Sequence, residues 1–353
     1  MDADSSTTDT TQGVQDILPQ LKAASLAVSS RTVYDRTWQQ WCQWRSIGNR
    51  PVRLPRESES QSHELVEFAI ACWTGAAGTG TNSPATVLSK ISHLGWHPLQ
   101  RYGYSVQLHA AHLLAMRGMR QLSPPSSQKP PIIIEILRQL RRALDFRQAH
   151  HRVIWGATVM GYYFLLRRSE YLAVDGKTSS FIIQRCDILF TDNSGARATN
   201  RDAAANVTVT FEGSKTDQFG ESTTRTLSRS GSPWLCPLRA TWALVAEGTI
   251  AGRPEASPLC ALPDGSTLTA GEVTRWIKIA ARLCGQDETR YSTHSLRSGG
   301  AAALFSAGSA DTRIKLHGRW RSDCFQRYVH IDNASTANIA RTMTYGTQIT
   351  SSM

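Results

Sequence analysis

The sequence has no pair of cysteines at C-x-x-C spacing and no GxxxxGK[ST] loop. It has no Asp/Glu/His cluster at metal-ligand spacing, and no apolar run near the ~20 residues that cross a bilayer. The absences exclude a zinc-ribbon framework, a phosphate-cradling nucleotide loop and a membrane-spanning helix, and no metal, small-molecule cofactor or membrane partner is expected. The seven cysteines (Cys42, Cys72, Cys186, Cys236, Cys260, Cys284 and Cys324) are scattered and odd in number, which fits reduced thiols of an intracellular protein. Met1–Gly13 is rich in Asp, Ser and Thr and lacks the apolar stretch of a secretory signal, so it is expected to be a disordered tail. Negative charge is also short: 28 Asp and Glu against 39 Lys and Arg leave a formal net charge of +11. Such a surplus favours a polyanion, most often nucleic acid, because each neutralised phosphate releases counterions. The less favoured reading of the charge is a basic protein that has no such partner.

With 353 residues and 41% hydrophobic residues, the chain has the length and the apolar content for about two domains. Residues 14–122 read as helical. Tyr34, Trp38, Trp41 and Arg45 recur three or four apart, as a stripe that either packs in a core or contacts DNA; periodic aromatics normally face a core. A helix is expected over His63–Trp73, ended by the Gly75–Ser83 loop. Ser83 and Pro84 read as the cap and first turn of the next helix, through Leu88, Ile91 and Leu94. A further helix is expected over Val106–Arg120. The prolines and serines of Ser123–Pro131 form a linker. Beyond it, Ile132–Leu144 and Arg152–Leu166 read as helices. Ser180–Phe190, Asn206–Phe211 and Ser222–Leu227 alternate and read as strands, and the chain is helical again from Thr269. Lys90, Arg117 and Lys129 are candidate phosphate contacts, although charges on helices are usually solvated.

Four stretches in residues 132–353 carry chemistry: Leu165-Leu166-Arg167-Arg168-Ser169-Glu170-Tyr171-Leu172, Gly213-Ser214-Lys215-Thr216-Asp217-Gln218-Phe219-Gly220, Thr293-His294-Ser295-Leu296-Arg297-Ser298-Gly299-Gly300, and Ile314-Lys315-Leu316-His317-Gly318-Arg319-Trp320-Arg321-Ser322-Asp323 leading to Tyr328. Cutting a DNA strand without a metal requires cations on the non-bridging oxygens, a nucleophile at phosphorus and an acid for the departing 5′-hydroxyl. A tyrosine nucleophile conserves the bond energy as a phosphotyrosine and permits rejoining. Each residue alone has a plainer reading: Arg167 and Arg168 as a solvated pair, Lys215 as a turn lysine, His294 and Tyr328 as core residues.

In order and separation these motifs resemble the catalytic domain of the tyrosine recombinase (phage-integrase) family. The Ser-Lys-Thr-Asp-Gln-Phe-Gly and Gly-Arg-Trp-x-Ser-Asp wording is most similar to recombinases of Crypton and DIRS-type eukaryotic mobile elements. The resemblance implies a mainly α fold with a small antiparallel β-sheet: a helical core-binding domain at 14–122, a linker at 123–131 and an α+β catalytic domain at 132–353 with a C-terminal helical tail. It implies Arg167 and Arg297 as phosphate clamps, Glu170 as the ion-pair partner of Arg167, Lys215 as general acid, His294 as a phosphate contact that helps proton transfer, and Tyr328 as nucleophile, with Tyr345 as its rival. The family carries His or Trp nine residues before the tyrosine. Here that place is Arg319, which either donates to the phosphate itself or leaves the role to Trp320.

The expected activity is therefore metal-independent, site-specific cutting and rejoining of double-stranded DNA through a 3′-phosphotyrosyl intermediate. A homo-tetramer on DNA is expected, in the nucleus if the host is eukaryotic and otherwise in the cytoplasm. The alternatives are a catalytically inactive DNA-binding protein derived from a recombinase and a type IB topoisomerase-like enzyme. A short helix over Ser335–Thr344, capped at Ser335, would pack on a neighbouring subunit or on its own domain.

Overall fold

The computed structural model describes residues 17–55, 57–78, 80–125, 129–213 and 222–320, together with Ser322, Asp323 and Gln326. The tail Met1–Gly13, Lys215, Tyr328, Tyr345 and the helix expected over Ser335–Thr344 lie outside the described residues. The chain divides into two units, Met1–Ser126 and Ser127–Met353.

The first unit is helical: α1 (residues 17–24), α2 (Val28–Ile47), α3 (Ser58–Thr74), α4 (Pro84–Tyr102) and α5 (Ala110–Leu122). Ser83 caps α4, its hydroxyl accepting from Thr86 N at 3.2 Å, with Pro84 in the first turn where no N–H is missed. The aromatic stripe of α2 packs inward. Trp41 is fully buried against Phe68, Leu65 and Leu94 and donates through Nε1 to Val52 O at 2.9 Å. Arg45 stacks on Trp41, donates through Nε to Pro51 O at 2.7 Å and pairs with Glu64. The helix expected over Val106–Arg120 begins only at Ala110. The His109 amide is instead held by the Ser62 hydroxyl at 2.7 Å, which fixes that connection as extended chain.

The second unit contains α6 (Ile134–Ala143), α7 (Ala149–Tyr163), α8 (Arg168–Tyr171), β1 (Ile188–Thr191), β2 (Asn206–Phe211), β3 (Thr223–Ser228), α9 (Pro237–Ile250), α10 (Ala270–Leu283), α11 (His294–Ser306) and α12 (Asp311–His317). The three strands form one antiparallel sheet in the order β1-β2-β3, with Ile188 opposite Val209 and Val209 opposite Arg225. The strand expected over Ser180–Phe190 is confined to its end. Arg185–Asp187 forms a 3-10 turn in which the Asp187 carboxylate accepts the Gln184 amide at 2.7 Å. The buried Arg185 guanidinium donates to Arg253 O, Pro254 O and the Thr249 hydroxyl, so this stretch is tied to the end of α9 rather than to the sheet.

Helix α7 is the centre of the unit. Val153 through Tyr162 are buried without interruption, as expected of a helix covered on every side. It packs against α9 and α11. The Gly299-Gly300 pair of α11 makes that approach possible: a Cβ on Gly300 would overlap Tyr162 O, and one on Gly299 would overlap Ile132 O. The small residues after Arg297 therefore set how deeply α11 sits against α7 and against the chain entering α6.

Candidate active site

The site forms where α7 ends, α11 begins and α12 ends. After Tyr163 the chain turns sharply through Leu165, which holds a left-handed φ of 50°. A buried leucine in that region is strained by about 1–3 kcal/mol, and the surrounding packing has to hold it there. The turn aims Leu165 O at Arg297, whose Nη1 donates to it at 2.6 Å. A second left-handed residue, Arg319 with φ of 57°, follows Gly318, whose carbonyl accepts from Arg297 Nη2 at 2.6 Å. Arg297 is almost wholly buried, and its guanidinium lies 4.3 Å from the centre of the Trp320 ring. Two carbonyls and one indole thus fix the plane of this guanidinium before any ligand arrives.

Beside it lies a second charge cluster. Arg167 precedes α8, and Glu170 stands one turn on, so the Glu170 carboxylate folds back. It accepts the Arg167 amide at 2.8 Å and Arg167 Nη1 at 2.9 Å. The expected Arg167–Glu170 ion pair is present, with Glu170 buried. The sequence pattern did not reveal that Glu170 serves a second arginine: Arg319 Nη2 donates to its Oε2 at 2.7 Å. The Arg319 guanidinium also lies 3.6 Å from the centre of the Phe211 ring, at the end of β2. Its Nε and Nη1 are buried and have no hydrogen-bond partner among the described residues. Burial pushes the Arg319 pKa down to about 10, with the nearby Arg167 and Arg225 adding to the shift and Glu170 opposing it.

Two guanidinium groups, Arg167 and Arg319, therefore share one carboxylate, and a third, Arg297, is buried beside them. Burying cations without a matching anion is unfavourable, so this excess describes a pocket suited to an anion. His294 opens α11 three residues before Arg297. It is exposed, yet its imidazole is held below the ordinary histidine value by the surrounding protein and by the Arg297 and Arg168 cations. It is accordingly a neutral imidazole at pH 7, able to give or take a hydrogen bond.

The structure brings Arg167, His294, Arg297 and Arg319 to this one place, together with Glu170 and Trp320. Neither Arg319 nor Trp320 stands open to solvent: Arg319 is turned into Glu170 and Phe211, and Trp320 lies beneath Arg297. Three further residues are the candidate phosphate contacts. Lys90 belongs to the first unit and donates to Gln40 Oε1 at 2.7 Å. Arg117 is exposed on α5. Lys129, at the start of the second unit, donates to Thr289 O at 2.8 Å.

Two residues of the site were not anticipated from sequence. His317 donates from Nε2 to Tyr163 O at 2.7 Å, since a carbonyl can only accept, and burial holds its pKa below the ordinary value. Arg225 of β3 reaches the end of α12, donating to Leu316 O and, at 3.4 Å, to His317 O. Among the described residues no group of three or more His, Cys, Asp and Glu side chains is placed to hold a metal ion. No described helix is long and apolar enough to cross a membrane.

No family model matches the chain, and no curated protein matches it in sequence. Solved structures do resemble it. XerH, a site-specific recombinase bound to palindromic difH substrate in a post-cleavage complex, shares 13% identity over 91% of this chain and 82% of that one, with a TM-score of 0.60. The Tn1549 transposon integrase in complex with circular intermediate DNA shares 15% identity over 93% of this chain and 98% of that one, with a TM-score of 0.54. A lambda integrase dimer bound to a COC′ core site shares 12% identity over 90% and 94%, with a TM-score of 0.52. At these identities the likeness is one of fold. The mainly helical architecture with its three-stranded antiparallel sheet is the fold of the tyrosine recombinase catalytic domain.

Proposed function

We propose that this chain is a site-specific DNA recombinase that cuts and rejoins duplex DNA through a 3′-phosphotyrosyl intermediate. The observation that carries the reading is the charge cluster: Arg167 and Arg319 on the one buried Glu170 carboxylate, Arg297 held beside them by two carbonyls, and His294 one helical turn before Arg297. In this reading Arg167 and Arg297 hold the non-bridging oxygens of the scissile phosphate, where charge grows in the transition state. The Tyr328 phenolate attacks phosphorus, the bond to the 5′-oxygen breaks, and Lys215 supplies the proton that the oxygen takes. His294 hydrogen-bonds the phosphate and assists that transfer. Arg319, through Glu170, orients Arg167 rather than meeting the phosphate. The guanidinium groups provide the charge stabilisation, so the reading requires neither a metal nor a nucleotide.

The reading extends to a homo-tetramer on DNA and to phosphate contacts by Arg117. Lys90 and Lys129 already donate to Gln40 and Thr289, and each ammonium has further N–H groups to offer a phosphate. It keeps the nearer likeness to Crypton- and DIRS-type recombinases, which the Lys215 and Gly318-Arg319-Trp320 stretches carry, and with it a nuclear location in a eukaryotic host.

The test is covalent trapping on nicked duplexes drawn from DNA flanking the gene. The wild type is expected to form a protein–DNA adduct, and Tyr328→Phe to bind equally well and form none. Equal adduct yield from both would remove Tyr328 as nucleophile. Binding without any adduct would leave an inactive DNA-binding protein, and relaxation of any supercoiled plasmid would indicate a topoisomerase. Binding should also weaken steeply between ~50 and ~200 mM salt, as phosphate-dominated contacts do.

A further inference from the structure

We infer that Arg168 holds a second phosphate of the bound strand, the one next to the scissile phosphate; this rests on the recombinase reading above. Arg167 and Arg168 are consecutive arginines with different surroundings. Arg167 precedes α8 and is folded back on Glu170, whose carboxylate accepts both its amide and its Nη1. Arg168 opens the helix and stands exposed. Among the described residues its side chain has no hydrogen bond and no ion pair, because the one carboxylate of α8, Glu170, is already shared by Arg167 and Arg319. Residues adjacent in a helical turn do not face each other. The two guanidinium groups therefore leave the chain in different directions, and Arg168 is left for a different anion.

Arg168 nevertheless stays beside the site. Helices α8 and α11 cover the same point of α7: a Cβ on Gly161 would meet both Tyr171, the last residue of α8, and Leu296 of α11. Arg168 stands at the exposed start of the one helix and His294 at the exposed start of the other. Their charges are within reach of each other. After burial by the surrounding protein and the Arg297 cation, it is Arg168 that holds the His294 imidazole below its ordinary value. A strand of duplex DNA carries one negative charge about every 3.4 Å along its axis. A strand whose scissile phosphate sits on Arg167, Arg297 and His294 thus brings its next phosphate past the rim of that pocket. There an exposed guanidinium can pair with it through two N–H groups.

The experiment is phosphate-ethylation interference with the full chain, on duplexes drawn from DNA flanking the gene, beside salt titrations of binding. Ethylation of a phosphate that a side chain holds blocks binding, and removing the side chain lifts that block. Arg168→Met is expected to lose one interfering phosphate, next to but distinct from the one lost by His294→Ala. Its plot of log affinity against log salt should be shallower by about 0.9, the share of one phosphate, and its affinity about tenfold lower at ~100 mM salt. Arg168→Lys keeps the charge and should retain the wild-type slope. Without DNA, Arg168→Met should melt as wild type does, since no partner within the fold is lost. An unchanged slope, no lost phosphate, a lost phosphate that coincides with that of His294→Ala or lies away from it, or a Tm lower by several degrees overturns the assignment. A wild type with no interfering phosphate, or a His294→Ala variant that loses none, instead sinks the recombinase reading beneath it.

Discussion

Glu170→Gln tests the charge cluster most directly. The carboxylate is buried and accepts three hydrogen bonds, two from Arg167 and one from Arg319. The amide is nearly the same shape but keeps a single acceptor oxygen, and its NH2 must face a guanidinium. Removing one partner of a buried ion pair costs about 3–5 kcal/mol, because the remaining charge is left uncompensated. The retained oxygen favours the lower figure, and here two cations share the loss. For a unit of 150–250 residues each kcal/mol moves the midpoint by about 2–4 °C, so a fall of roughly 6–12 °C is expected in calorimetry of the full chain. The pocket also gains one net positive charge, so a duplex oligonucleotide should raise the variant's Tm by more than it raises that of wild type. A variant melting within about 2 °C of wild type would mean that Glu170 does not hold these arginines, and the pocket argument would fail with it.

Gly318→Ala places a Cβ in the Trp320 ring, although the backbone φ of −78° is open to alanine. Overpacking of this kind costs about 1–3 kcal/mol. With Trp320 displaced from beneath Arg297, adduct formation should fall at least about tenfold while DNA binding persists, measured by suicide-substrate trapping beside a filter-binding isotherm. Stability should also decline with acid. The pKa of His317 is held below its ordinary 6.5 chiefly by burial, and that of His294 by the surrounding protein and the Arg297 and Arg168 cations, so below that pH the unfolded chain binds more protons than the folded one. This contribution is complete above about pH 6.5 and is lost as pH falls through the folded values. His317→Gln should flatten part of that slope in thermal melts between about pH 5 and 8; parallel wild-type and variant curves would contradict it.

The order of the motifs made the fold of the second unit legible, and the local pairs came with it: Arg167 with Glu170 lies within one turn, and Ser83 and Pro84 announce a helix start by their own chemistry. What failed was long-range or featureless. α9 shows no apolar stripe because it packs on α7 and also on β2 and β3, so no period distinguishes it. The end of Ser180–Phe190 is a strand, but its beginning is claimed by Arg185, whose partners lie more than sixty residues away. The same distance hid the sharing of Glu170 with Arg319 and the reach of Arg225 to α12. The aromatic stripe of α2 had two readings, and the fully buried Trp41 places it in the core.

The double grip on Arg297 has a consequence for how the protein matures. Its two carbonyl partners, Leu165 and Gly318, come from stretches far apart in the chain, and Gly318 is the last of the three to be synthesised. A nascent chain that has not yet emerged past Gly318 holds this guanidinium by one carbonyl fewer. The orientation of Arg297 is completed only once Gly318 is in place, and a product truncated before Gly318 lacks that second hold.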